Sequence, residues 1–165
     1  MRTRIIHPLA PVYDKNSRVL VLGTMPSPKS REFGFYYSNP QNRFWRILAE
    51  LYREALPCTK EEKKAFLLWH HIALWDVLKS CEIEGADDAS IRNPVPNNIA
   101  GLLKETGICT VFTTGTKASL LYRRFCRTAT GIDAIALPST SPANCRNWTY
   151  ETLLAAYRVL RKYTG

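Results

Sequence analysis

The stretch RVLVLGTMPSP, residues 18–28, decides the fold. Val19 to Leu22 are four apolar residues in unbroken succession, stopped by Gly23. An uninterrupted run this short reads as a strand buried on both faces, the kind found in parallel sheets, followed by a loop. The loop is stiffened by Pro26 and Pro28 and carries small hydroxyl residues. Three further stretches have the same character: IALWDVL (72–78), ICTVFTTG (108–115) and IDAIALPSTSP (132–142). Helical patterns separate them, at Pro40–Ala55, TKEEKKAFLLWHH (59–71), VPNNIAGLLKETG (95–107), TKASLLYRRFCR (116–127) and NWTYETLLAAYRVLRKY (147–163). Strands alternating with helices predict an α/β fold, one domain over residues 1–165, with a mainly parallel sheet and helices on both faces. Ligands of such sheets bind beyond the carboxyl ends of the strands. Two strand exits share a small, hydroxyl-rich, proline-stiffened chemistry there: GTMPSPKSR (23–31) and LPSTSPAN (137–144).

The chain has 165 residues, 45% hydrophobic and 22% charged, which suits a folded domain with a sizeable core. No apolar run approaches the ~20 residues of a membrane span, and the N-terminal apolar patch is broken by Pro8 and Pro11. A soluble, cytoplasmic protein is expected, with no membrane partner. The net charge of +9 points to a polyanionic partner, nucleic acid before a membrane surface. From Lys117 onward, eight basic residues face only Asp133 and Glu151. The five cysteines, Cys58, Cys81, Cys109, Cys126 and Cys145, form no CxxC pair, which argues against a disulfide framework, a zinc site or an iron–sulfur cluster. Buried free thiols are expected instead. His70 and His71 are neighbours on a predicted helix and point ~100° apart, so they do not share a metal.

The segment YYSNPQNRFW, residues 36–45, gathers aromatics, amides and an arginine. Phe44, Leu48, Leu51 and Ala55 share a helical face. Asn39 suits the N-cap and Pro40 the first helical position, which places Asn42 in the first turn with its amide free. A neutral carboxamide can hold a water through its oxygen or donate to a base through its NH₂. Asn42 is thus either a chemical group or an ordinary polar first-turn residue, with Asn39 the second choice. Phe44 and Trp45 fit the core by periodicity. Thr59 and Glu62 have capping-box spacing, and Asn97 sits near the cap of the following helix. Asp76 could orient a loop or contact a base, and an acidic cap on a strand end is the preferred reading. Asp87 and Asp88 lie in a polar stretch and read as solvated.

The two loops and this segment together resemble the uracil-DNA glycosylase superfamily, in particular its hypoxanthine-DNA glycosylase branch. The resemblance is carried by LGTMPSPKSREFGFYYSNPQNRFW, ALWDVLKSCEIEGADDASIRNPVPNNI and LPSTSPAN, and spans nearly the whole chain. It implies a three-layer α/β/α sandwich with a central four-stranded parallel sheet. It also implies a monofunctional enzyme that flips deaminated bases out of DNA and removes them without metal or cofactor. Two positions depart from the superfamily pattern. Met25 stands where many members carry an Asn or Asp that handles water, and Leu137 where several carry a His. The resemblance then places the catalytic amide in the NRFW element, at Asn42.

Within that resemblance Tyr37 is the candidate to stack on the flipped base. Gly23, Thr24, Met25, Pro26 and Ser139 line the substrate pocket. Lys29, Ser30, Arg31, Ser141, Asn144 and Arg146 are candidate contacts to the DNA backbone, which position DNA without reading its sequence. The implied partner is double- or single-stranded DNA carrying deaminated bases, hypoxanthine (deoxyinosine) first, bound by a monomer. The alternatives are a uracil- or mismatch-specific (G:U/T) glycosylase and a catalytically inactive DNA-binding module.

Overall fold

Strand β2 (Val19–Gly23) is buried at every position, because its alternate side chains enter two different cores. Val19 and Val21 pack into one, with Phe44, Leu48, Leu153 and Tyr157. Leu20 and Leu22 pack into the other, with Ile99, Leu102, Leu121 and Tyr122. In the computed structural model, which covers residues 1–165, β2 lies inside a four-stranded parallel sheet. Its neighbours are β3 (Ile72–Asp76) and β6 (Thr110–Thr114), and β7 (Ile135–Leu137) completes the order β3-β2-β6-β7.

Helices cover both faces and make the three layers expected. On the first core lie α2 (Phe44–Leu51), α3 (Lys60–Trp69), α7 (Tyr150–Tyr157) and α8 (Val159–Thr164). On the second lie α4 (Ile99–Glu105) and α5 (Thr116–Phe125), the latter followed by the short α6 (Arg127–Thr130). The capping box of α3 forms as read: Thr59 Oγ1 accepts from Glu62 N at 3.0 Å, and Glu62 returns the bond to Thr59 N at 2.9 Å.

Several expectations change. A second sheet exists, antiparallel, of β1 (Thr3–Ile6), β4 (Leu78–Glu84) and β5 (Asp87–Pro96) in the order β1-β4-β5. Repeated register shifts along the β4–β5 pair break the two-residue period that would have announced it. A six-residue helix, α1 (Pro28–Phe33), follows the first loop, with Ser27 as N-cap. Asn98, not Asn97, caps α4; the Asn97 amide donates to the carbonyls of Asp76 and Leu78. The closing helix is divided at Arg158 into α7 and α8. Three of the five free cysteines, Cys58, Cys109 and Cys145, are exposed and only Cys81 and Cys126 are buried. No helix is long and apolar enough to cross a membrane.

The start of α2 also moves. The helix begins at Phe44, and its N-cap Arg43 makes no side-chain cap. Asn39 and Asn42 each close a local turn instead: Asn39 Oδ1 accepts from Gln41 N at 3.0 Å, and Asn42 Oδ1 accepts from Phe44 N at 2.9 Å. Asn and Asp favour such turns because their short side chains reach the backbone two residues on. Neither asparagine is therefore helical, and both lie on the ramp leading into α2.

Candidate active site

The carboxyl ends of β2, β3 and β6 open into a cleft of about 290 Å³. Gly23 to Ser27 of the first loop and Ser139 to Ala143 of the second form opposite walls. Tyr37, Asn39 and Asn42 come from the ramp before α2, Asp76 from β3 and Thr114 from β6. Ile83, Gly85, Ala86 and Asp88 come from the β4–β5 hairpin. Every residue read as a catalytic or substrate-pocket candidate lies on this lining: Asn42, Asn39, Gly23, Thr24, Met25, Pro26, Tyr37 and Ser139.

The floor is built around the missing side chain of Gly23. A Cβ there would lie 2.5 Å from Asp76 Oδ1, 3.2 Å from the Tyr37 hydroxyl and 3.6 Å from Thr114 Oγ1. Three polar groups thus converge on one point of backbone that only glycine leaves open. Tyr37 adopts φ of +52°, the left-handed region that a bulky residue occupies only when its surroundings impose it. What imposes it is visible. The Tyr37 ring stacks on Phe44 at 3.9 Å and 15°, and its hydroxyl donates to Thr114 Oγ1 at 3.1 Å. Thr114 in turn donates to the Leu22 carbonyl. One face of the ring is held against the core, and the residue is half-buried on the cleft. Tyr36, by contrast, is 2% exposed, and its hydroxyl donates to the Ala10 carbonyl. Burial first, and the charge of Asp76 second, raise the pKa of both phenols, so both stay protonated.

Asn42 uses its oxygen on Phe44 N, while no protein acceptor takes its NH₂. The amide is therefore held in orientation with its donor end unspent. Behind it, Arg43 is 8% exposed. Its backbone N–H donates to the Thr140 carbonyl, and Nη1 donates to the Trp148 carbonyl at 2.6 Å. Arg43 thus ties the second loop to the base of α2. Its Nε and Nη2, and the Thr140 hydroxyl, lack protein partners.

The candidate DNA contacts divide. Lys29 and Arg146 are exposed and make no side-chain bonds within the chain. Ser30 is turned inward at 2% exposure: its hydroxyl accepts from Ser38 N and from Ser27 Oγ, so it braces the first loop and is not presented to a phosphate. The Arg31 guanidinium donates to the Pro26 carbonyl at 2.7 Å. Ser141 caps the Pro142–Asn144 turn, and the Asn144 amide donates to the Ser139 carbonyl. Leu137 is buried in the core beneath the second loop, and Met25 packs at the cleft edge against the second core.

Two carboxylates also line the cleft. Asp76 is 4% exposed and lines the floor. Asp88, read as solvated, lines the mouth. By area it is an exposed residue, yet enough protein surrounds its carboxyl for desolvation to raise its pKa. Asp76 and Asp87 add to the rise, and Lys117 and the Thr24 hydroxyl oppose it.

A parallel α/β/α sheet with an amide- and aromatic-lined cleft at its carboxyl edge suits a base-excising enzyme, and the comparisons assign the family. Residues 10–161 match the uracil DNA glycosylase superfamily, and the chain belongs to it. It is, as a member, a DNA N-glycosylase. A hypoxanthine DNA glycosylase of Methanosarcina acetivorans is 35% identical over 136 residues, covering 82% of this chain and 85% of the relative. One from Methanosarcina barkeri is 32% identical over 138 residues, covering 83% and 87%. The fold is similar to the solution NMR structure of a Methanosarcina acetivorans protein put forward as a uracil DNA glycosylase. That similarity has a TM-score of 0.79 at 30% identity and covers 96% of this chain and 99% of the other.

Proposed function

We propose that this protein removes deaminated bases from DNA, hypoxanthine foremost, by hydrolysing the N-glycosidic bond, acting as a monomer and leaving an abasic site. The observation that carries this reading is the fixed amide of Asn42, which lines the same cleft as the half-buried Tyr37 ring. The extruded base stacks on Tyr37, which Phe44 backs, so the ring is rigid before the base arrives. Deamination replaces an amidine edge with a lactam edge. Hypoxanthine, uracil and xanthine therefore all present a carbonyl acceptor where the parent base has an amino donor. The unspent NH₂ of Asn42 is complementary to that acceptor.

Bond cleavage leaves positive charge on the sugar and negative charge on the departing base. An oriented N–H donor near the base stabilises that charge without reorganising, and such a donor is typically worth ~10²–10³ in rate. Lys29, Arg146 and the exposed parts of Arg31, Ser141 and Asn144 bind the flanking phosphates.

The test is direct. Duplexes carrying a single deoxyinosine, deoxyuridine or deoxyxanthosine are incubated with the protein in EDTA, and abasic sites are cleaved with alkali. Cleavage fastest at deoxyinosine supports the proposal. Preference for deoxyuridine moves the protein to the uracil-specific class. Salt-dependent binding without cleavage of any strand refutes hydrolysis and leaves a binding module.

A further inference from the structure

Asp76 is the carboxylate on the floor of the cleft, while Asp88 lies at its mouth. Its side chain is 6% exposed, and its Oδ2 lies 2.7 Å from Nε2 of His7, whose side chain is 3% exposed. The backbone N–H of Leu9 donates to His7 Nδ1 at 3.2 Å. A ring nitrogen that accepts is unprotonated, so the single imidazole proton sits on Nε2 and is donated to Asp76. His7 is thus a neutral donor that orients the carboxylate and does not cancel its charge. Backbone pairing places the residue: the main-chain N–H of His7 donates to the Lys79 carbonyl at 2.8 Å, just beyond the β1–β4 ladder.

The second oxygen differs. Oδ1 has no protein donor and faces the cleft over Gly23. A carboxylate kept for structure alone would have both oxygens satisfied, since an unpaired buried charge is costly. Here one oxygen is anchored and the other presented. The remaining titratable groups near it are Tyr36, Tyr37 and Asp88. Both tyrosines are protonated, so neither is a base.

We propose that Asp76 is a second catalytic residue, oriented by His7, whose free oxygen removes the proton from the attacking water. This rests on the glycosylase reading above. The water oxygen bonds to C1′ of the sugar as the C1′–N bond breaks, and that electron pair leaves on the base. The water proton passes to Asp76 Oδ1 and then to solvent. The base anion takes a proton from solvent, so Asp76 ends as it began. The division of labour follows from geometry: Asn42 offers its donor end to the base, and Asp76 offers an acceptor to the water. His7 is a positioning residue, and it lies outside residues 10–161 that match the family.

The experiment is single-turnover cleavage of a deoxyinosine duplex, beside equilibrium binding to the same duplex carrying non-cleavable 2′-fluoro-deoxyinosine. Asp76→Asn should lower the rate ~10²–10⁴-fold, the usual span for a general base, while binding changes less than about 3-fold. Asp76→Ala should regain rate with added formate, which supplies the missing carboxylate. His7→Leu should lose rate, and His7→Gln, whose amide can still donate to Oδ2, should recover much of it. Should Asp76→Asn fail to fold, the His7 pair decides: equal rates for Leu and Gln overturn the proposal. So does a folded Asp76→Asn at wild-type rate, or one whose rate and binding fall together. A wild-type protein inert on all three duplexes overturns the glycosylase reading and this inference with it.

Discussion

An alanine at Gly23 would put its Cβ 2.5 Å from Asp76 Oδ1, about 0.9 Å inside the 3.4 Å at which ordinary contact begins. Neither neighbour yields easily. Asp76 is short, buried and tied to His7, and the Tyr37 hydroxyl, at 3.2 Å, is tied to Thr114. The added methyl therefore pushes the carboxylate and the phenol off their present positions. Overpacking of this kind costs about 1–3 kcal/mol of stability. A displacement approaching 1 Å at a reacting group costs ~10²-fold in rate. Gly23→Ala should then fold, melt lower and cleave deoxyinosine about a hundredfold more slowly. Thermal denaturation and single-turnover cleavage measure both. A variant with unchanged melting temperature and unchanged rate would refute the convergence of these three groups on the glycine.

Tyr37→Ala should weaken binding of a 2′-fluoro-deoxyinosine duplex by ~5–150-fold, because base–aromatic stacking is worth about 1–3 kcal/mol; fluorescence anisotropy reads it. DNA affinity should fall linearly with log salt concentration, and Lys29→Ala should reduce that slope by about 1, measured by titration at several salt concentrations. Alkylation of the native protein at pH 8 followed by mass spectrometry should label Cys58, Cys109 and Cys145 and spare Cys81 and Cys126. Burial raises the pKa of both, Cys126 to about 11, and a group whose folded pKa is raised stays a thiol below that pH.

The parallel sheet was legible because burial on both faces leaves short apolar runs bounded by turn residues. Val19–Leu22 is the clearest, since each residue is fully buried. The antiparallel sheet was not, because Asp87–Pro96 is mostly exposed and pairs with β4 through shifted register, which erases alternation. Asn39 and Asn42 both line the cleft, but their conformation was not readable. Asn-Pro before an apolar run suits a capped helix and a chain of side-chain turns equally, and tertiary contacts chose the turns. Asp76 was read as a strand cap because its significance depends on His7, 69 residues away, and on a register that sets it opposite Gly23. Arg43 was overlooked among aromatics; its link to Trp148 spans 105 residues. Short-range patterns carry elements, while pairings across the sheet carry chemistry.

The amide of Asn42 is the centre of the account, and one comparison isolates it. Asn42→Asp keeps an oxygen for Phe44 N and loses the NH₂; Asn42→Ala loses both; Asn39→Ala removes only the neighbouring turn. Single-turnover cleavage of deoxyinosine duplex by the three variants should show ~10²-fold or greater losses at Asn42 for both Asp and Ala, with Asn39→Ala near wild type. Full rate in Asn42→Asp, or equal losses at Asn39 and Asn42, would contradict the assignment.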